Sequence, residues 1–280
     1  MLENTFTLER LTPHIGAEIS GIDLNDELSE RQLDALYQAL IEHQVLFFRD
    51  QDITPEHHLA FAKSFGELDV PHPVYPNVDG HERIVKLEHD ADHAPDTDCW
   101  HSDLTFMEEP PFTSILVGRE VPDVGGDTLW ANMVAAYDAL PEEMKTLLEP
   151  LRAIHDLGTF RNDFSVGEAT SERLLEGMQN FGATIHDVVK THPVTGKKFL
   201  YVNEGFTVHI VGKTPMDSRN LLAYLYDHLS RPEFQVRFKW RNNSMAMWDN
   251  RCTQHYAVAD YLPHYRCMNR VTVVNDRRVR

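Results

Sequence analysis

The sequence predicts a mainly β fold with flanking helices, of the α+β class: a two-sheet jelly roll with helices packed on its outside. Short apolar runs separated by turn signals dominate the second half of the chain, as the strands of stacked sheets do. The helical stretches are few and do not alternate regularly with those runs, which argues against a doubly wound parallel sheet. With 280 residues, 42% of them hydrophobic and 25% charged, the composition is that of an ordinary globular protein with enough chain to bury a sizeable core. One domain spanning residues 1–280 is expected.

Each element has a local signature. Residues 29–43 repeat at helical spacing, with Ser29 and Gln32 as a capping box. The run QVLFFRD, residues 44–50, reads as a buried strand. A second helix at 55–65 has Thr54 as N-cap, Pro55 in its first turn and Gly66 as its stop. Further helices are expected at 134–148, 172–181 and 218–229. Strands are expected at 83–87, 113–118, 128–131, 198–202, 235–240, 245–248 and 270–274. The turn signals VGGD, VTGK and RNNS, beginning at Val124, Val194 and Arg241, punctuate them. Residues 69–79 and 89–98 are rich in Pro, Asp and His without periodicity, and are candidate loops over a site.

Charge and cysteine content exclude several classes of function. The formal net charge of −18 argues against a nucleic-acid partner or an anionic membrane surface, so an anionic substrate must be captured by a few placed cations. No apolar run approaches the roughly 18 residues needed to span a bilayer. The N-terminal stretch lacks the basic and apolar segments of a secretory signal. The three cysteines, Cys99, Cys252 and Cys267, show no CxxC spacing, which fits a cytoplasmic protein with packing thiols.

The stretch CWHSDLTF, beginning at Cys99, is where chemistry first appears. On a strand, His101 and Asp103 would face the same side and could reach one ion. Taken alone, such a pair is more often a structural His–Asp hydrogen bond. A third ligand has its best context in His255, within MWDNRCTQHYAVADY. Two histidines and a carboxylate on one face of an octahedral ion leave three positions open, the arrangement of non-heme Fe(II) oxygenases. A structural zinc site would close all four of its positions. Arg266 and Arg270 open the last strand on a shared face, about 13 Å apart, and could hold two anions on either side of a metal. The arginines at 277, 278 and 280 read as solvated.

The motifs PHIGAEISGIDL, HQVLFFRDQDITPE, HPVYP, WHSDLTF, GGDTLWANM, THPVTGK, VNEGFT and WDNRCTQHYAVADYLP, followed by the Arg266/Arg270 pair, occur in one order along nearly the whole chain. In that order the sequence resembles the taurine dioxygenase family of Fe(II)/2-oxoglutarate-dependent oxygenases. The resemblance implies a distorted double-stranded β-helix, with His101, Asp103 and His255 as iron ligands. It implies that Thr128 and Arg266 hold the distal carboxylate of 2-oxoglutarate, and that Arg270 and His72 hold a sulfonate. Tyr75 and Asp96 match residues that meet an amine, while Thr97 stands where the family has an asparagine. Phe106 and Phe206 match the apolar lining.

The implied cofactors are Fe(II), 2-oxoglutarate as co-substrate and O2. The implied reaction hydroxylates the carbon next to the sulfonate of taurine, releasing sulfite and aminoacetaldehyde with succinate and CO2. Thr97 keeps open the same chemistry on an alkyl sulfate, an unaminated alkylsulfonate or an aryloxyalkanoate. A homo-oligomer is expected. A metal-free binding protein and a zinc hydrolase are rival readings; the second explains neither Thr128 nor Arg266.

Overall fold

The computed structural model describes residues 6–72, 75–93, 95, 98–157, 179 and 182–279. In chain order its strands begin with β1 (Thr7–Arg10), β2 (Ala17–Ser20), β3 (Val45–Phe48), β4 (Asn77–Val78), β5 (His81–His89), β6 (Thr113–Glu120), β7 (Thr128–Asn132) and β8 (Arg152–Asp156). They continue with β9 (Ala183–Asp187), β10 (Val189–Thr191), β11 (Lys198–Leu200), β12 (Thr207–Ile210), β13 (Gln235–Phe238), β14 (Met245–Asp249), β15 (Thr253–Ala257) and β16 (Arg266–Val273). The helices are α1 (Glu30–His43), α2 (Pro55–Lys63), α3 (Met133–Asp138), α4 (Glu142–Leu148) and α5 (Pro215–Leu229).

An eight-stranded sheet in the order β1-β2-β3-β14-β6-β16-β5-β4 faces a three-stranded sheet, β13-β7-β15. This is the two-sheet jelly roll expected from the strand pattern. Alternation along each central strand explains how continuous apolar runs serve two interfaces. Val45 and Phe47 of β3, Leu116 of β6 and Ala246 and Trp248 of β14 point between the sheets, where Trp130, Val236 and Phe238 meet them. The intervening residues, including Leu46, Phe48, Ile115, Val117, Met245 and Met247, point outward into a core shared with α1 and α2. Fully burying each such side chain contributes about 1.5–3 kcal/mol. A second outer core packs α3 and α5 behind the smaller sheet.

Caps set the helix starts. Ser29 and Gln32 form the expected capping box on α1, Thr54 accepts from the His57 amide on α2, and Thr214 caps α5 with Pro215 in its first turn. Several boundaries differ from expectation. The helix predicted at 134–148 is two helices, because Pro141 cannot continue the first. The second helix stops at Lys63, before Gly66, whose Cα lies so close to Asn275 that an added Cβ would sit 2.0 Å from its carbonyl oxygen. The last strand runs from Arg266, which opens it as the arginine spacing implied, to Val273, so the predicted span 270–274 covers only its second half. The helix predicted at 172–181 lies outside the described residues.

Candidate active site

His101 and Asp103 do not share a strand. His101 forms an isolated antiparallel bridge with His255: its N–H donates to the His255 carbonyl at 3.0 Å, and its carbonyl accepts from the His255 N–H at 2.7 Å. Directly opposed residues project to one face, so the two imidazoles lie with ring centroids 4.1 Å apart. Asp103 follows in a tight turn in which Leu104 takes a left-handed φ of 57°. Asn250 holds that turn: its Oδ1 accepts from the Asp103 amide at 2.8 Å, and its Nδ2 donates to the Asp103 carbonyl at 2.9 Å. The expected strand spacing is thereby corrected to a bridge plus a clamped turn.

The surroundings prepare these three groups as ligands. His101 Nδ1 donates to the Cys99 carbonyl at 2.9 Å, which leaves the Nε2 lone pair available. Burial pushes His101 and His255 down from the usual histidine value, so both rings are neutral. Burial pushes the Asp103 carboxyl up, but the charges and donors around it, the Arg270 guanidinium foremost, outweigh burial and hold it well below the usual carboxylate range. Ser114 donates to Asp103 Oδ2 at 2.7 Å and Arg270 to Oδ1 at 2.6 Å. The donor atoms of His101, Asp103 and His255 all lie within 4.8 Å of one another. Two neutral imidazoles and one ionised carboxylate on a common face fit a divalent, redox-active ion.

A second buried cluster, His192, Asp249 and Cys252, has similar spacing but different chemistry. His192 Nδ1 accepts from the amides of Val194 and Thr195, so Nε2 carries the proton and donates to Asp249 at 3.0 Å. Arg251 also grips both oxygens of Asp249, at 2.8 and 2.6 Å. That cluster is a structural ion network with no imidazole lone pair free for a metal.

Sheet register brings the remaining residues in. Within the smaller sheet His255 pairs with Trp130 and Ala257 with Thr128, placing Thr128 on the same inward face as His255. Trp240 Nε1 donates to Thr128 Oγ1 at 2.9 Å, which leaves the threonine hydroxyl proton free to serve another acceptor. Arg266 is 5% exposed, and its Cδ and Nε pack against Gly126, where an added Cβ would lie 3.3 Å from each. Arg266 thus packs on the turn that leads directly into Thr128. Phe106 and Phe206 meet edge to face at 5.3 Å and join Tyr75, Val85, Leu104 and Leu157 in an apolar wall. His72 accepts from the Tyr75 amide at 3.1 Å, and burial together with the nearby Arg270 lowers its pKa to about 3. Asp96 and Thr97 lie outside the described residues.

The chain matches the family described as "Taurine catabolism dioxygenase TauD, TfdA family" over residues 7–272. It belongs to that family. It is 39% identical over 278 residues to an alkylsulfatase of Acinetobacter baylyi, covering 96% of this chain and 85% of the relative. It is 38% identical to an alpha-ketoglutarate-dependent sulfate ester dioxygenase of Pseudomonas putida, covering 94% of this chain and 87% of the relative. Among solved structures, a taurine dioxygenase from Burkholderia xenovorans superimposes with a TM-score of 0.83 at 37% identity, covering 98% of this chain and 90% of that one.

As a TauD-family member the chain is a 2-oxoglutarate-dependent dioxygenase, and the family works with Fe(II), 2-oxoglutarate and O2. The His–Asp–His cluster meets that requirement with no rearrangement of its donor types. Sequence reasoning missed Ser114 and Asn250, which hold Asp103, and Gly205, which packs against His101. Asn250 stood inside the WDNR motif, whereas nothing in the sequence marks Ser114. An added Cβ at Gly205 would sit 2.9 Å from the Cβ of His101, so the glycine in VNEGFT gives that ligand room.

Proposed function

We propose that this dioxygenase hydroxylates the carbon bearing the sulfonate of a small organosulfur anion, with taurine as the first candidate. The observation that carries this reading is Arg270. It is 5% exposed, lies against Asp103, and stands opposite Val85, a member of the apolar wall that contains Phe106 and Phe206. A fixed guanidinium beside an apolar surface suits a short hydrocarbon with one oxoanion at its end.

In this reading His101, Asp103 and His255 hold Fe(II), and Thr128 and Arg266 hold the distal carboxylate of 2-oxoglutarate. The bound ion supplies O2 activation coupled to oxidative decarboxylation of 2-oxoglutarate to succinate and CO2. Arg270 and His72 fix the sulfonate, so the adjacent C–H faces the triad. Tyr75, Asp96 and Thr97 meet the far end of the substrate, and Phe106 and Phe206 exclude water from the reacting carbon. Hydroxylation at that carbon gives a 1-hydroxysulfonate, which loses sulfite as the hydroxyl becomes the carbonyl of aminoacetaldehyde.

A second reading is favoured by the two relatives named for sulfate esters. On an alkyl sulfate the same hydroxylation falls on the carbon bearing the ester oxygen, and collapse releases an aldehyde and sulfate. Incubation with Fe(II), 2-oxoglutarate and O2, followed by assay of both anions, separates the two. Taurine-dependent sulfite is the expected result; sulfate from an alkyl sulfate with no sulfite from taurine establishes the second reading.

A further inference from the structure

We infer that His89 is a further anchor for the distal carboxylate of 2-oxoglutarate, donating to it beside Arg266. The inference rests on the reading that Arg266 holds that carboxylate, and it assigns a role to a residue outside every motif quoted above.

The geometry comes from the ladder between β5 and β16, which pairs Arg266 with His89, Met268 with Leu87 and Arg270 with Val85. Directly opposed side chains stand on the same face with Cβ atoms about 5 Å apart. This is the face toward the site, since Met268 and Leu87 belong to the core between the sheets and Val85 to the apolar wall. The alternate residues face away: Glu88 pairs with Lys86 at 2.6 Å on the far side.

Both members of the pair are buried, at 5% exposure for Arg266 and 9% for His89. Arg266 Nε and His89 Nδ1 have no hydrogen-bond partner among the described residues. Neighbouring acids do not serve them. Asp127 is held by Arg237 at 2.7 Å, and Asp90 Oδ1 accepts from the amides of Asp92 and His93 at 2.9 Å each. Burial and then the Arg266 charge lower the His89 pKa to about 4, so near neutral pH the ring keeps a single N–H. With the single imidazole proton on Nδ1, the tautomer this inference requires, the pair would offer two buried donors side by side to one acceptor group with two oxygens. A carboxylate supplies it, and a neutral imidazole adds a directional bond without a second charge. The pair therefore selects a 2-oxo acid that carries a terminal carboxylate.

The test compares 2-oxoglutarate with 2-oxopentanoate, which keeps the 2-oxo acid end and replaces the distal carboxylate by a methyl group. Both are titrated anaerobically into the Fe(II)-loaded protein and followed by the visible charge-transfer band, without turnover. His89→Phe is expected to weaken 2-oxoglutarate binding about tenfold and leave 2-oxopentanoate unchanged, while His89→Gln, which keeps an N–H, recovers part of the loss. Equal weakening of both acids, or of neither, overturns the inference. Arg266→Gln tests the underlying reading separately. If it too leaves the preference for 2-oxoglutarate intact, the Arg266 assignment falls. If it abolishes the preference while His89→Phe does not, only the role of His89 falls.

Discussion

At the scale of single residues, the site depends on side chains that hold other side chains. Ser114 and Arg270 each occupy one oxygen of Asp103, and the Cys99 carbonyl fixes the tautomer of His101. Such partners orient metal-binding side chains and typically change metal affinity or activity by about 10–100-fold when removed. Trp240 plays the same part for Thr128, since its indole N–H fills one acceptor position and directs the hydroxyl proton elsewhere. Trp240→Phe keeps an aromatic ring in the core and removes that bond together with part of the indole volume packed on Trp130 and Phe238. The expected outcome is a rise of about fivefold to tenfold in KM for 2-oxoglutarate, with the melting temperature lowered by only a few degrees. An unchanged KM would mean that the threonine needs no such guidance.

At the scale of elements, some strands and helices announce themselves and others do not. The strand VLFF is buried throughout and stands out in any reading of the sequence. By contrast β1, with three of its four residues exposed and one half-buried, has no apolar alternation and exists because β2 pairs with it. The ligand pair was legible as residue types but not as geometry, because a bridge between His101 and His255 links positions far apart in the chain and leaves no local trace. His89 shows the same limit, since only the register of β5 against β16 reveals its neighbour. Of the C-terminal arginines read as solvated, Arg277 is exposed, Arg280 lies outside the described residues, and Arg278 is the one that departs, being half-buried. Arg278 lies over the Tyr37 ring and pairs with Asp34 at 2.5 Å, and Arg277 reaches Glu30, so the chain end is tied to α1. Because α1 covers the outer face of the main sheet, weakening its cap should affect stability alone. Ser29→Ala is expected to cost about 1 kcal/mol in denaturant unfolding while 2-oxoglutarate affinity stays unchanged; a shift in that affinity would show that the outer core is coupled to the site.

At the scale of the whole molecule, buried neutral histidines set the response to acid. His58 is fully buried between α2 and β6, with Nε2 3.2 Å from the Ile115 carbonyl, and burial followed by Arg119 lowers its pKa from 6.5 to about 3. Below pH 6.5 the unfolded chain takes up this proton while the folded chain does not, so stability falls with pH down to about 3. Each such group contributes a slope of up to about 1.4 kcal/mol per pH unit in that window. His58→Leu should flatten the decline of unfolding free energy between pH 6 and 4, and a parallel decline in both proteins would place the acid sensitivity elsewhere. The bridge between His101 and His255 carries a different consequence. Its neighbours Ser102 and Thr253 are 151 positions apart in sequence, so an ion gripped by both histidines closes a loop of more than half the chain. In the unfolded ensemble that closure is entropically expensive, and in the folded state two backbone hydrogen bonds already hold its ends together. An ion held by the proposed triad would therefore also act as a removable staple, and adding Fe(II) to the metal-free protein is expected to raise its melting temperature.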